Sequence, residues 1–374
     1  MTFPFLRLPS LAKNEVIRSM DRRDCIILAL TSKRAAGTVR MANIRTLFAE
    51  IHISSTPKIK LWGQVILGPT GKIWKEKELS KCNHQSSNSI VKSTARVYNR
   101  MDSIFGFKEP LTLIFSDDYK KVTTVKEVLS DPTMCNWDEC VLIGETKDSE
   151  ELNAIMDMAS HDRWFFCNVK EFPTDFRHKN AFKFRFNEYE DARWVKIEDL
   201  YGMNNCYGVV LKRNNFTKTH IKEFIYYWVN TEVDMFVWMR ITTVEVFDLV
   251  EMLYGLTILH IQHRAVYLTM AKSSETREKT LLCFSNHGNN LQLSAWGPGE
   301  FQSGCGVQFD ETIRNKKGVI GLLIEKKQLE VELKSGDGES KEGISKRLKQ
   351  LDIEIQGYGV FFVDGKATLR IPTQ

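Results

Sequence analysis

The chain has 374 residues, 43% hydrophobic and 26% charged, with a net charge of +5. That length allows two or three domains with their own cores, and that composition excludes a wholly disordered chain. The charge excess is too mild to demand nucleic acid or an acidic membrane as partner. Most of it falls in the first sixty residues, where Arg18, Arg22, Arg23, Lys33, Arg34, Arg40 and Arg45 cluster.

Residues 8–42 carry helical signals. Leu8-Pro9-Ser10 is a helix start, and Leu11, Val16, Ile17 and Met20 recur at helical spacing. Asp24 is positioned to cap a second helix over Cys25–Leu30, and Thr31-Ser32 a third from Lys33. Three helices this short need another surface for their apolar faces. From residue 47 the period changes to two: Phe48–Ile53 and Ile59–Leu67 alternate, and Gly68-Pro69-Thr70-Gly71 turns the chain into Ile73-Trp74. Residues 80–94, rich in Ser, Asn and Lys, are expected to form an exposed loop.

From about 95 to 256 strand and helix patterns alternate. Strands are expected at Leu111–Phe115, Cys140–Gly144 and Tyr207–Leu211. Helices are expected at Val122–Leu129, at Ser149–Ala159 behind an Asp148 or Ser149 cap, and after Thr217 with Ile221, Phe224, Ile225 and Trp228 inward. Aligning Val141-Leu142-Ile143 with Val209-Val210-Leu211 also aligns the following helices. Such a repeat of strand–turn–helix units is the building block of leucine-rich solenoids, with degenerate units in between. Beyond 279, strand-like runs follow at 279–284, 291–294, 319–324, 329–333, 351–355 and 360–363, with Val363-Asp364-Gly365-Lys366 as a hairpin turn. An antiparallel β domain is expected there, interrupted by a mobile loop over Lys334–Lys349.

Strings that suggest chemistry fail on spacing. Gly68-Pro69-Thr70-Gly71-Lys72 has its first glycine too close to the Gly-Lys pair for a phosphate loop, and Ile73 replaces the magnesium-holding hydroxyl. His260 and His263 lack further ligands for a metal, and Cys135 and Cys140 lack a second close pair for zinc. The clusters Trp164-Phe165-Phe166, Tyr226-Tyr227-Trp228 and Phe236-Val237-Trp238 read as core rather than base-stacking platforms, because Asp157, Asp162, Glu232 and Asp234 lie beside them. Eight unevenly spaced cysteines are not a disulfide framework. No apolar leader follows Met1, and Thr242–Gln262 carries too many charges to span a bilayer. A soluble, reduced protein of the cytoplasm or nucleus is expected, without catalytic residues, cofactor or metal.

On Leu8-Pro9, Val16-Ile17, Met20, Asp24, Ile26, Leu28, Leu30, Ser32-Lys33-Arg34 and Val39, the N-terminal helices resemble an F-box. They differ from common members at Lys13 and Arg22-Arg23. Residues from Trp194-Val195-Lys196-Ile197-Glu198-Asp199-Leu200 through Asn205-Cys206, Val210-Leu211, Asn214 and Ile221–Trp228 resemble an F-box-associated type-2 domain of nematode-type F-box families. The two resemblances cover about a quarter of the chain. They imply a substrate-recognition adaptor of a Skp–cullin–F-box ubiquitin ligase. The implied contacts to the Skp-type adaptor are Leu8, Pro9, Val16, Ile17, Met20, Ile26 and Leu28, with cullin reached through it and an unidentified target held downstream. The expected class is α+β: a three-helix F-box over 4–45; a β-hairpin region and loop over 46–94; a leucine-rich-repeat-like α/β region over 95–256, with the associated domain at about 191–253; and a β-rich domain over 279–374. The last of these is faintly similar to galectin-like sandwiches around Phe309-Asp310-Glu311, without their sugar-binding string. The competing expectations are a lectin-like or peptide-binding module with no ligase role, and an enzyme built around a deep polar pocket.

Overall fold

A computed structural model of the chain describes residues 5–44, 49–61, 65–68, 73–74, 87–108, 111–121, 123–244, 248–262, 266–272, 276–297, 316–335, 341–363 and 365–369. The fold is mixed α+β and divides into two compact units, Met1–Asn180 and Ala181–Gln374. The boundary falls inside the α/β stretch that the sequence pattern treats as one region.

In the first unit three helices come first, α1 (Ser10–Ser19), α2 (Arg22–Thr31) and α3 (Lys33–Met41). The cap of α2 is Asp21, whose carboxylate accepts from the Arg23 amide, rather than the expected Asp24, which sits in the first turn. Ser32 caps α3 by accepting from the Ala35 amide. Strands β1 (Ala49–Ile53), β2 (Lys58–Leu61), β3 (Val65–Leu67) and β4 (Ile73–Trp74) then form an antiparallel meander. The alternating run Ile59–Leu67 is therefore not one strand but two that pair with each other.

Helix α4 (Ser87–Phe105) corrects the loop expected over 80–94 from residue 87 onward. Its Ser, Asn and Lys residues are compatible with a helix because Ile90, Val91, Ala95 and Met101 supply a buried face. Next come β5 (Leu111–Phe115), α5 (Val125–Leu129), β6 (Trp137–Thr146), α6 (Ser149–Met156) and β7 (Trp164–Glu171). A capping box at Thr124 and Glu127 starts α5, and Asp148 starts α6 by accepting from the Glu151 amide. The sheet runs β4-β3-β2-β1-β5-β6-β7, with β1, β5, β6 and β7 parallel.

The second unit opens with β8 (Phe186–Asp191), α7 (Ile197–Tyr201), β9 (Cys206–Arg213), α8 (Lys218–Asn230) and β10 (Phe236–Thr242), whose strands pair in parallel. Strands β7 and β8 thus lie in sequence between the two segments that align as repeats, β6 and β9. After α9 (Leu249–Met252), the strands β11 (Leu259–Ile261), β12 (Val266–Met270), β13 (Leu281–His287) and β14 (Asn290–Trp296) run antiparallel in succession, and β14 closes onto β10. Gly288, at φ +60, makes the tight β13–β14 turn.

The C-terminal segment corrects the all-β expectation. Residues read as strands at 319–333 and 351–355 lie in two helices, α10 (Lys316–Ser335) and α11 (Lys341–Gly357). The second of these also replaces most of the expected loop. Val319, Ile320 and Leu323 of α10 and Leu351 and Ile355 of α11 are buried at helical spacing against Leu259, Val266, Leu268 and Leu369. Arg347 holds both oxygens of Glu325 across the helix pair, at 2.8 and 3.0 Å. The chain ends in β15 (Val360–Val363) and β16 (Lys366–Leu369), an antiparallel hairpin with Gly365 at φ +75, as the turn signal requires. The sheet of this unit runs β8-β9-β10-β14-β13-β12-β11-β16-β15.

Candidate functional site

The N-terminal helices are held together by a small interior. Ile17, Cys25, Ile26, Ala29, Ala35 and Val39 are buried between them. The Cys25 thiol donates to the Ile17 carbonyl at 3.4 Å, and burial, then Asp21 and Asp24, push its pKa up. The Arg18 guanidinium donates to the Ala42 carbonyl at 3.3 Å, pinning α1 to the end of α3. With that interior filled, large apolar side chains remain outside: Leu11 is 74% exposed, Val16 38%, Ile27 42% and Met41 65%.

Of the residues implied as adaptor contacts, Pro9 and Val16 are exposed, and Leu8, Met20 and Leu28 are half-buried. Ile17 and Ile26 are fully buried, so within this fold they support the surface from below. Leu11 and Ile27 join the exposed set in their place. In Ile26-Ile27-Leu28 three adjacent residues cannot all face inward on a helix, but the string alone does not say which one turns out. Arg22, Arg23, Lys33, Arg34 and Arg40 are exposed cations on α2 and α3, while Arg45 lies outside the described residues.

Three of the residues that carry the downstream resemblance, Trp194, Asn214 and Trp228, have the opposite fate. Trp194 is buried and stacks on Phe182, with its edge toward Tyr189. Asn214 is buried, its amide donating to the Lys212 and Thr242 carbonyls at 2.8 and 2.7 Å and its carbonyl accepting from the Phe216 amide, which ties the ends of β9 and β10 together. Trp228 is buried beneath the Arg277 guanidinium, 3.9 Å from its ring. Arg277 donates to the Trp228 and Thr231 carbonyls at 2.7 Å each, satisfying the C-terminal end of α8. Burial lowers its pKa to about 10. These residues build core rather than surface.

A second cluster of charges sits where β5 and β6 end, the side of a parallel sheet that commonly holds ligands. The Lys147 side chain is only 1% exposed, with its ammonium 3.8 Å from Asp117 and 4.6 Å from the centre of the Tyr119 ring. Burial depresses its pKa and raises that of the Tyr119 phenol. Lys120 bridges Asp148 and Glu151 at 3.0 and 2.9 Å. A lysine sealed to this degree presents nothing to a substrate in this conformation.

The remaining motifs resolve into packing. Cys140 is buried in β6, and Cys135 is half-buried with its thiol toward the Pro132 carbonyl. His260 stacks on Tyr267 at 4.7 Å, and His263 lies outside the described residues, as do residues 69–72 and 309–315. Phe165, Trp228 and Phe236 are buried members of the three aromatic clusters. Among the described residues no three His, Cys, Asp or Glu side chains are grouped as a metal needs, and no helix is long and apolar enough to cross a membrane. No family model, no curated protein and no solved structure matches the chain.

Proposed function

We propose that this chain is the substrate-recognition adaptor of a Skp–cullin–F-box type ubiquitin ligase. The observation that carries the reading is the set of apolar side chains left uncovered on three short helices: Leu11, Val16 and Ile27, with Pro9 exposed and Leu8, Met20 and Leu28 half-buried. Helices of ten, ten and nine residues are marginal alone, and a groove on a partner completes them in the way amphipathic helices are completed elsewhere. The exposed cations of α2 and α3 suit an acidic partner and speed its encounter.

On this reading the F-box-like helices dock on a Skp-type adaptor, which carries the cullin. The leucine-rich-repeat-like strand–helix units and the C-terminal domain present the target. The contribution is proximity, so the chain itself needs no catalytic group or cofactor. Such a subunit works in the cytoplasm or nucleus. Co-expression of the full chain with a tagged Skp-type adaptor and cullin tests this. Recovery of all three together supports the reading; recovery of adaptor and cullin without the chain retires it.

A further inference from the structure

The second unit holds a groove of about 660 Å³ between α10, the turn after α9 and the β15–β16 hairpin. That volume falls in the range that holds a small molecule. Most of its lining is apolar. Leu253 and Leu323 are buried there, Leu256 and Ile258 are half-buried, and Phe362 remains 43% exposed.

The charges of the lining are unequal. Lys326 is neutralised: its ammonium lies 2.6 Å from Asp352 and 3.9 Å from Glu330, itself a lining residue, and 4.3 Å from the centre of the Phe362 ring. Lys327 and Lys366 line the groove as exposed cations, and among the described residues neither has a carboxylate partner. Lys327 donates to the Gly255 carbonyl at 2.8 Å, which leaves further N–H donors of its ammonium open. Burial, and then Lys366, push the His260 pKa down, the effect a cation without a counter-charge has on a neighbour.

We infer that this groove binds a small amphiphilic acid, an apolar body that ends in one acidic head group. The body displaces water from Leu256, Leu323 and Phe362, which is favourable in proportion to the apolar area covered. The head group, at one end of the molecule, supplies the negative charge that Lys327 and Lys366 lack. A carboxylate and a phosphate monoester share this chemistry. A neutral molecule of the same shape would leave both cations unpaired. The inference goes beyond the ligase reading and needs no adaptor.

Calorimetric titration of the purified full chain with decanoate, decyl phosphate and decanol, each below its solubility and micelle limits, tests it. The account expects saturable binding of at least one of the two acids, about tenfold or more tighter than that of decanol. A preference between the acids fixes the head group. A Lys327→Glu, Lys366→Glu double variant should weaken acid binding about tenfold or more, and Phe362→Ser should weaken all binding, both with unchanged circular dichroism. Absence of saturable heat from both acids, equal binding of decanol, or indifference to both variants overturns the proposal. A groove that ignores the acids yet takes an acidic amphipathic peptide would serve a protein partner, and that result also overturns it. Because no Skp-type adaptor is present, the outcome is independent of the ligase reading.

Discussion

Helix α8 and the helices α1–α3 are built from the same kinds of residue but differ in what covers them. On α8, Ile221, Phe224, Ile225, Trp228 and Val229 are all buried, and Arg277 closes its C-terminal end. On α1–α3, Leu11, Val16, Ile27 and Met41 remain in solvent after the helices have packed on one another. A helix completed within its own chain contributes to stability; one left incomplete is, on the reading proposed above, a docking surface.

The sharpest test of that contrast is truncation on the covered side. Trp228→Ala should cost about 3–5 kcal/mol through the cavity it opens and the support Arg277 loses. Urea denaturation would read this as a lower midpoint; an unchanged midpoint would break the comparison. Covering can also be unfavourable when the group is charged. Lys147→Met keeps the volume and removes a sealed ammonium whose ion pair with Asp117 is long, at 3.8 Å, so stability should rise by about 1–4 kcal/mol. Thermal unfolding would show a higher Tm, and a fall would mean that the ion pair outweighs its desolvation.

A smaller effect is expected of His260. Burial, with Lys366 nearby, lowers its pKa below the ordinary 6.5. The unfolded chain then binds the proton more readily, so His260 favours the fold above about pH 6.5, and that contribution is lost as pH falls below it. Unfolding free energy measured between about pH 5 and pH 7.5 should rise with pH, and His260→Phe should flatten the slope. The smallest effect belongs to the uncovered helices. Leu11→Ser should change stability by less than about 0.5 kcal/mol, because the side chain already lies in water.

Where periodicity and capping agree, the sequence was a sufficient guide. Thr217 with Ile221, Phe224, Ile225 and Trp228 defines α8, and Asp148 starts α6. Val363–Lys366 marks the last hairpin. It misled where a short apolar run suits either element. Val319–Ile324 resembles a buried strand, yet only Val319, Ile320 and Leu323 of its residues are fully inward, at helical spacing. Leu351 and Ile355, four apart, carried the same signal. In the candidate site the helices were legible, but their inward faces were not, since Ile26 and Ile27 differ only in which way the packed helix turns them. The groove beside Phe362 was illegible because its lining comes from segments more than a hundred residues apart, around 256 and 366.

The most direct measurement is calorimetric titration of a purified Skp-type adaptor into the full chain, beside a Leu11→Asp, Val16→Asp, Ile27→Asp triple variant checked for an unchanged melting temperature. The account predicts stoichiometric binding by the wild-type chain and loss of heat with the variant. No binding by the wild-type chain, or equal binding by both, would contradict it.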